Sequence, residues 1–428
     1  MNGSARVITA ILLLGGAWIT ATQFLRPTPR ATSPMRHEAY VWQRSWNAAV
    51  TNAIHTHASH FASIVPLAAE IAWKEGNPQT TFVAINFELL KSSGKRIGLA
   101  LRIGPYPGPF QSTGQPLDQI ADVAASLLAT ASDHGLPVSE LHLDFDCADS
   151  QLDGYRLWVT TLRTRLSQTP VILTALPSWL NERAFGKLAA AADGFILQVH
   201  SLERPGHQTG EAELCDPVRA RAWVEQASRW NQPFRVALPT YSYLAAFGPD
   251  REFLGASAEG PMRIWPANAT LREIRTDPIA MKNLVHDWDI SRPARLEGII
   301  WYRLPVETDV LNWSWPTLEA VMQARTPTSH WELVHRWKNP GLAEFILTND
   351  GEVDIPIQPS ARVRWQNARL VAGDGWNGYD LAETGANEAE LKRNKSVPGR
   401  PLRPGESRSI GWIRFSPAES TALMVEPL

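Results

Sequence analysis

The chain has 428 residues, enough for two or three domains of ordinary size. Its 44% hydrophobic and 20% charged residues exclude a protein that is disordered throughout. With 41 basic and 43 acidic residues the formal net charge is -2, so the basic excess that nucleic-acid binding requires is missing and no nucleic acid is expected as a partner.

The first 25 residues have the layout of an export segment. A short basic start, which ends at Arg6, is followed by an uncharged apolar run from Val7 to Leu25. This run is long enough to cross a hydrocarbon core of about 30 Å as a helix. Residues 1–25 are therefore predicted to be a signal peptide or an uncleaved signal anchor. The protein is expected to be exported and periplasmic, with a membrane contact through this segment. Residues 26–37 are rich in Pro, Ser and Thr and predict an extended tether.

Residues 38–326 alternate short apolar runs with amphipathic helical stretches. The eight apolar runs, predicted as strands, cover residues 40–46, 63–73, 96–104, 140–146, 170–177, 194–201, 234–243 and 297–305. Helical periodicity between them is clearest over residues 117–132, 152–166, 218–230 and 278–289. This order predicts an α/β fold, a (β/α)8 TIM barrel. The alternative is a doubly wound open sheet, but no G-x-G-x-x-G motif follows any predicted strand.

The pattern of apolar and polar residues changes near residue 329, where period-two alternation replaces helical periodicity. Alternating segments cover residues 331–337, 343–349, 361–365, 409–415 and 421–426. Turn signals separate them, as in Asn349-Asp350-Gly351 and Arg403-Pro404-Gly405-Glu406. Residues 329–428 are therefore predicted to form a C-terminal all-β sandwich domain. Stability, docking and glycan binding remain open as roles for it.

The predicted fourth strand carries the sharpest chemical signal. His142, Asp144 and Asp146 share one parity, so two carboxylates leave the same face of one strand about 6.7 Å apart. Their repulsion, roughly 2.5 kcal/mol at an effective dielectric of 20, favours a proton on one of them. Arg102 at the end of the third strand opposes this effect, because it favours both charged forms. The pattern indicates either an acid/base pair or a structural ion-pair network.

Aromatic and planar polar residues stand at the other predicted strand ends. Tryptophan is unusually common, with 18 residues against 13 Phe and 7 Tyr. Such groups suit sugar rings, whose C–H faces pack on aromatics while their hydroxyls need polar partners. Each aromatic alone is equally well explained as barrel core. The predicted binding residues are Trp42, Arg102, Trp179, Gln198, His200, Tyr241, Trp301 and Arg303, with Glu70 as a further carboxylate.

Motifs of several other enzyme classes are missing. The sequence has no G-x-S-x-G, P-loop, H-E-x-x-H or C-x-x-C pattern, and no cofactor or metal is expected. His55, His57 and His60 crowd one segment, but it lies in the first predicted helix and favours a solvated face. Cys147 and Cys215 are the only cysteines, and they form either one disulfide or two buried thiols.

Several strand ends resemble those of the chitinase-like barrels, glycoside hydrolase family 18. The segments concerned are LHLDFD, ILTALPSW, FILQVHS, ALPTYSY and GIIWYRLP. The barrel also resembles a bacterial family known only as a domain of unknown function (family 3142). That resemblance rests on the R-I-G-P strand end, the D-x-D with a following helix that contains Tyr155, and the T-A-L-x-S-W stretch from Thr174 to Trp179.

The resemblance implies a glycan-related barrel. It places Asp144 and Asp146 in the D-x-D positions of the family and makes Tyr241 and Trp301 binding residues. The family's proton-donating Glu follows the last Asp by two residues, and this chain has Ala148 there. A proton donor would have to be Asp149, one residue later, or Glu70 or Glu307 from other strands.

Two functions follow from these observations as hypotheses. The first is an exported glycoside-hydrolase-like protein that acts on an envelope or extracellular polysaccharide, such as an amino-sugar polymer, through the Asp144 and Asp146 pair. The alternative is a catalytically silent glycan-binding or envelope scaffold protein on the same barrel. A deacetylase-type metalloenzyme would need clustered His and Asp ligands, which the sequence does not offer.

Overall fold

The structure, a computed structural model, describes residues 29–74, 76–166, 168–201, 213–258, 263–355, 359–394, 400–417 and 422–428. The predicted signal segment 1–25 lies outside these residues. In the part of the chain that is described, no helix is both long and apolar enough to cross a membrane.

The N-terminal part of the described chain alternates strands and helices. Its strands are β1 Arg30–Ala31, β2 Arg36–Val41, β3 Ser63–Lys74, β4 Asn77–Phe82, β5 Arg96–Ile103, β6 Val138–Phe145, β7 Val171–Ala175, β8 Gly194–Gln198, β9 Phe234–Pro239, β10 Ser242–Phe247, β11 Phe253–Ser257, β12 Thr270–Arg275, β13 Arg292–Pro293 and β14 Leu296–Tyr302. Its helices are α1 Ala48–His57, α2 Phe87–Ser92, α3 Leu117–Asp133, α4 Leu152–Arg165, α5 Arg183–Ala191, α6 Pro217–Ser228, α7 Pro278–Ile290 and α8 Trp315–Met322. Short 3-10 helices cover Ala58–His60, Asp149–Gln151 and Pro177–Asn181.

Eight strands form one closed parallel sheet. The pairing order is β2-β14-β9-β8-β7-β6-β5-β3, and pairing of β2 with β3 closes the ring. Helices connect successive strands, as expected for parallel neighbours. The predicted (β/α)8 barrel is therefore confirmed.

Local sequence signals explain where two of the helices begin. Asp216 precedes α6 and accepts hydrogen bonds from the amides of Val218 and Arg219. Asp277 precedes α7 and accepts one from the amide of Ile279. Each aspartate is followed by a proline in the first helical position, where a missing N–H costs nothing.

Alternate residues of each barrel strand fill the interior. The interior apolar cluster contains Tyr40, Trp42, Val65, Leu67, Ala100, Ile172, Ile196, Ala237 and Ile300. Their strand neighbours pack outward against the helices, as Ala39 and Val41 do. The same alternation decides which side chains reach the mouth of the barrel.

Two features of the barrel differ from the sequence prediction. The first strand begins at Arg36, four residues early, because the polar residue Glu38 belongs to the buried interior and hides the alternation. The seventh strand was predicted to run over residues 234–243, but β9 ends at Pro239, and β10, β11 and β12 form a separate antiparallel sheet in the order β11-β10-β12.

The described part of the predicted tether lies against the barrel. Strand β1 pairs with β13, Met35 is buried, and the Met35 amide donates to Asp289 Oδ1 over 2.7 Å. Residues 29–37 are thus fixed to the folded domain instead of forming a free spacer.

The C-terminal part forms two antiparallel four-stranded sheets. Its strands are β15 Trp331–Asn339, β16 Leu342–Asn349, β17 Ala361–Gln366, β18 Arg369–Gly375, β19 Tyr379–Gly385, β20 Glu388–Arg393, β21 Ser407–Ser416 and β22 Ala422–Pro427. The sheet orders are β15-β16-β21-β18 and β19-β20-β17-β22, with one apolar cluster formed by residues of both. The predicted sandwich is confirmed, and β18 to β20 are additions that their polar sequences did not predict.

Both cysteines are free and buried, which is the second of the two alternatives. Burial raises the pKa of Cys147 and of Cys215 to about 12. Neither thiol is therefore an activated nucleophile.

Candidate functional site

Polar and aromatic side chains converge on a cavity of about 170 Å³ at the C-terminal ends of the barrel strands. We call this cavity the mouth pocket. Its lining residues are Tyr40, Trp42, Arg102, Asp144, Asp146, Thr174, Ile196, Gln198, His200, Ala237, Tyr241, Tyr243, Ala258 and Tyr302. Seven predicted site residues are among them, namely Trp42, Arg102, Asp144, Asp146, Gln198, His200 and Tyr241.

The two aspartates of the mouth pocket have different surroundings. Asp144 pairs in register with Arg102 of the neighbouring strand, and Arg102 Nε lies 4.0 Å from Asp144 Oδ2. Asp146 follows the end of β6 and is exposed. One carboxylate is therefore held by a guanidinium group, whereas the other faces solvent and an incoming ligand.

Glu70 orients Arg102 and does not line the pocket. Arg44 donates to both carboxylate oxygens of Glu70 over 2.6 and 2.8 Å, and Arg102 Nη1 lies 3.7 Å from Glu70 Oε1. A carboxylate clamped between two guanidinium groups positions them and is poorly placed to transfer a proton.

The other candidate proton donors also lie outside the lining of the mouth pocket. Asp149 starts the 3-10 helix after β6, is exposed, and accepts a hydrogen bond of 2.8 Å from the Ser178 hydroxyl. Glu307 lines a different cavity, between the barrel and the sandwich. Among the described lining residues, Asp144 and Asp146 are the carboxylates.

Packed aromatic rings form one wall of the mouth pocket. Tyr302 lies 5.2 Å from Trp42, 5.4 Å from Tyr241 and 5.3 Å from His200, measured between ring centroids. His200 Nδ1 is 3.2 Å from the Tyr241 hydroxyl. Burial lowers the pKa of His200 to about 3, so its ring is neutral and adds hydrogen bonding without charge.

A buried polar column runs below this pocket through the barrel interior. Arg235 donates to Glu38 over 2.5 Å and to both oxygens of Glu140 over 2.7 and 3.1 Å. His142 Nε2 lies 2.9 Å from Glu140 Oε1, and His142 Nδ1 lies 2.8 Å from the Tyr40 hydroxyl. An ionised carboxylate only accepts, so Nε2 carries a proton.

Charge and burial fix the ionisation states within the column. Burial alone would raise the pKa of Glu140, but His142 and Arg235 hold it well below its ordinary value. Burial and the nearby charge of Asp144 raise the pKa of Tyr40 well above its ordinary value. Tyr40 therefore keeps its proton and forms a rigid floor beneath Asp144.

The two predicted residues of the eighth strand do not line the mouth pocket. Trp301 is fully buried against the helices, and its indole N–H donates to His37 Nδ1 over 3.1 Å. Arg303 is buried and donates to Asp309 over 2.8 Å. The parity assumed for this strand was wrong by one residue, because Ile300 and Tyr302 face the interior. Tyr302 takes the place predicted for Trp301.

Trp179 is a structural residue of the barrel wall. It is fully buried in the 3-10 helix Pro177–Asn181, and its indole N–H donates to the Cys147 carbonyl over 3.1 Å. It also packs against Tyr155 and Phe185. Its position after a strand end suggested a binding role, but the helical turn directs the ring into the core.

Sequence reasoning missed Tyr40, Thr174, Tyr243 and Tyr302 in the pocket lining. Tyr40 shares the parity of Trp42, but the predicted first strand, residues 40–46, placed it at the start of the strand, whereas β2 ends at Val41 and brings Tyr40 close to the mouth. Tyr302 was missed because Ile299, Ile300 and Trp301 are all apolar, so the sequence does not show which parity of β14 faces the interior. Tyr243 belongs to the added sheet, for which no signal was recognised.

A possible metal-binding group lies outside the barrel. His330, Glu332 and Asp350, all exposed, are the group in the described residues whose ligand atoms come within 4.8 Å of one another. It belongs to the start of the sandwich, so it does not supply the barrel mouth with the ligand cluster that a deacetylase would need.

Two family models match parts of this chain. Residues 111–307 match the family model Domain of unknown function (DUF3142). The resemblance expected from the sequence is thereby confirmed. The DUF3142 match includes Asp144, Asp146, Gln198, His200 and Tyr241, whereas Trp42, Glu70 and Arg102 precede it. Residues 333–416, in the sandwich, match Domain of unknown function (DUF8456). No curated protein matches the chain.

Solved structures similar to this chain include a spore cortex-lytic enzyme and two chitinases. SleL of Bacillus megaterium QM B1551 has 14% identity and a TM-score of 0.47, over 70% of this chain and 76% of SleL. The chitinase of Chromobacterium violaceum ATCC 12472 has 14% identity and a TM-score of 0.43, over 68% of this chain and 98% of the chitinase. The GH18 chitinase ChiB of Flavobacterium johnsoniae has 15% identity and a TM-score of 0.44, over 68% and 94% of the two chains.

Proposed function

We propose that the mouth pocket binds a polysaccharide chain and hydrolyses it, with Asp144 and Asp146 as the reacting pair. The observation that carries the proposal is the convergence of these two carboxylates, Arg102 and an aromatic wall in one cavity. Aromatic rings pack on the C–H faces of sugars, and neutral polar groups such as Gln198 and His200 suit sugar hydroxyls.

The spacing of the two aspartates favours a water molecule between them. Alternate residues of a strand have Cα atoms about 6.7 Å apart, a spacing compatible with the separation of about 6.5 to 9.5 Å between the carboxyl groups of inverting glycosidases. Asp146, exposed to the ligand, would give a proton to the departing glycosidic oxygen. Asp144, held by Arg102, would take a proton from the water that attacks the anomeric carbon.

A second candidate function is binding without cleavage. It is favoured by Ala148, which stands where the resemblance implies the proton donor, and by the clamped state of Glu70. In that case the same pocket would hold a glycan chain, and the protein would act as an envelope scaffold.

The cellular location is part of the proposal. The uncharged run from Val7 to Leu25 behind a basic start supports export and a periplasmic location. An envelope or extracellular polysaccharide, such as an amino-sugar polymer, would then be the available substrate.

The decisive variant is Asp146→Asn. We expect it to lower the release of new reducing ends from amino-sugar polymers by at least about 100-fold, since general acid–base groups contribute about 10² to 10⁴. Binding of oligosaccharides, measured by calorimetry, should stay within a few-fold of the natural protein. Asp149→Asn, which removes an exposed carboxylate outside the pocket, is the control and should leave both unchanged.

Two outcomes separate the candidate functions. Cleavage undiminished in Asp146→Asn contradicts the assignment of the reacting pair. Binding by the natural protein that Trp42→Ala weakens, with no reducing ends released from any polymer tested, supports the scaffold instead.

A further inference from the structure

Two tryptophans stand on the outer face of the sandwich sheet β15-β16-β21-β18. The side chain of Trp376 is 43% exposed, and Trp412 of β21 is half-buried. Among the described residues, neither belongs to the apolar core of the sandwich nor packs against it. A role in the core of the sandwich therefore does not explain the two tryptophans.

The backbone holds these two tryptophans as close neighbours. Trp412 lies opposite Asp374 in the β18 register, and Trp376 follows Asp374 by two residues and so shares its face. Diagonal neighbours of this kind lie about 7 to 8 Å apart, within reach of large aromatic side chains. The two indoles can therefore contact consecutive units of one extended ligand.

A tight turn fixes the position of Trp376. The amide of Tyr379 donates to the Trp376 carbonyl over 3.1 Å, and the two residues between them, Asn377 and Gly378, have φ values of 54° and 84°. This is a tight four-residue turn between the two sheets, with both central φ angles positive. Asn377 Nδ2 also donates to the Ser409 carbonyl over 2.7 Å, which ties the turn to β21. The turn and the hydrogen bond from the Trp376 amide to the Ile410 carbonyl of β21 fix the backbone of Trp376, so little ordering is needed when a ligand binds.

Charged side chains of both signs surround the tryptophans on this face. Arg336, Glu344, Trp412 and Asp374 form one cross-strand row. Lys338 Nζ lies 2.7 Å from Glu344 Oε2. Strand alternation adds Glu332, Arg369 and Arg414 to the face, which gives four basic and three acidic residues. The face thus offers hydrogen-bond donors and acceptors of both signs with an excess of one positive charge, which attracts an ionic polymer only weakly.

We infer that this sheet face is a second carbohydrate-binding surface. It holds a neutral, hydroxyl-rich polysaccharide chain through sugar rings stacked on Trp376 and Trp412 and through hydrogen bonds to Glu344 and Asp374. Amphipathic indoles flanked by polar groups suit sugars, whereas a protein partner would favour a contiguous apolar patch. The inference deepens the proposed function, because it assigns the sandwich the task of holding the polymer on which the mouth pocket acts.

The test is retention of the full chain on insoluble polymers, namely chitin, peptidoglycan sacculi and cellulose, measured by co-sedimentation. We expect Trp376→Ala and Trp412→Ala each to weaken retention on at least one polymer by about tenfold, and the double variant to abolish it. Trp337→Ala is the matched control, because Trp337 is 39% exposed on the same domain but packs on Phe415 of the core. Urea unfolding of each variant verifies that the sandwich remains folded.

The mouth pocket is tested separately with Trp42→Ala and soluble oligosaccharides, so the two sites can fail independently. Retention lost in Trp42→Ala and kept in the double variant overturns the surface inference while the proposed function stands. Retention on none of the three polymers, or equal loss in Trp337→Ala, also overturns it. Self-association of the chain that Trp412→Ala abolishes, without polymer retention, would assign this face to a second copy instead.

Discussion

Glu140 links the buried polar column of the barrel interior to Tyr40, the floor of the mouth pocket. It accepts hydrogen bonds from Arg235 and from His142, which in turn bonds Tyr40. These residues come from three different strands, β2, β6 and β9, so the column ties the closed sheet together from within. Glu140 has no role in the proposed reaction, but through His142 it positions Tyr40, which lies beneath Asp144.

Glu140→Gln is expected to destabilise the protein by about 3 to 5 kcal/mol at pH 7, because it leaves the buried Arg235 poorly compensated. The pKa of Glu140 is lowered in the folded state. Its contribution to the free energy of unfolding is therefore fully present at pH values above its unfolded pKa of about 4.5 and is lost progressively as the pH falls below that value. Urea unfolding at pH 7 and at pH 4 should therefore show a smaller pH effect in the variant. Glu388→Gln, at an exposed pair with Arg364, is the control and should change little. Equal stability of Glu140→Gln and the natural protein would contradict the role of the column.

For single residues, the alternation along a strand predicted which side chains face the pocket wherever the bounds of the strand were correct. Asp144 and Asp146 were found because β6 is regular and apolar on its other face. Trp301 was misassigned because Trp-Tyr-Arg gives no apolar contrast at the end of β14, and a shift of one residue reverses every side chain. Glu70 could be located, but its clamp by Arg44 depends on a loop whose course no local pattern predicts.

The loop between β14 and α8 connects the sandwich to the mouth pocket. Arg403 of the sandwich donates to the carbonyls of Glu307, Asp309 and Asn312 and to the Ser314 hydroxyl. Asn312 forms an isolated bridge with Tyr241, which lines the pocket. The loop thus connects Arg403 of the sandwich to Tyr241 in the wall of the mouth pocket.

Arg403→Ala should loosen this loop. Loss of several hydrogen bonds of about 0.5 to 1.5 kcal/mol each gives an expected local cost of about 2 kcal/mol, or roughly 30-fold faster amide exchange. Hydrogen exchange should report it at Ser242 and Trp313, whose amides donate to Leu311 and Thr240. Arg400→Ala, which removes an exposed arginine of the same segment, is the control. Unchanged exchange in Arg403→Ala would show that the loop holds its shape alone.

Elements with strong periodicity were predicted almost to the residue, and weakly patterned ones were missed. The stretch 152–166 corresponds to α4, Leu152–Arg165, because its apolar residues recur at helical spacing. Strands β18 to β20 alternate less clearly: β18 and β19 are edge strands with polar residues on both faces, and β20 carries the buried polar residue Glu390 between two apolar ones. Their order depends on packing against β17 and β21, which lie far away in sequence.

The whole molecule depends on a polar joint between the barrel and the sandwich. Glu352 of the sandwich accepts two hydrogen bonds of 2.7 Å from Arg325 and one of 2.9 Å from the Thr328 amide. Its backbone carbonyl accepts a hydrogen bond from the Thr317 hydroxyl of α8. A polar joint of this kind can keep a polymer-holding face and a mouth pocket in a constant relation without a large apolar interface.

Glu352→Gln is expected to open this joint, because it removes the charged partner of Arg325. The hydrogen bonds from Arg325 and from the Thr328 backbone lower the pKa of Glu352 to about 2, so the natural joint carries its full charge at neutral pH. Limited trypsin digestion at pH 7 should then cut after Arg325 several-fold faster in the variant. The control is Glu332→Gln, which removes an exposed carboxylate between Arg325 and Glu352 in the sequence and should leave the rate of cleavage unchanged. If both variants are cut at the natural rate, the joint is held by Arg403 and its carbonyl contacts instead of by Glu352.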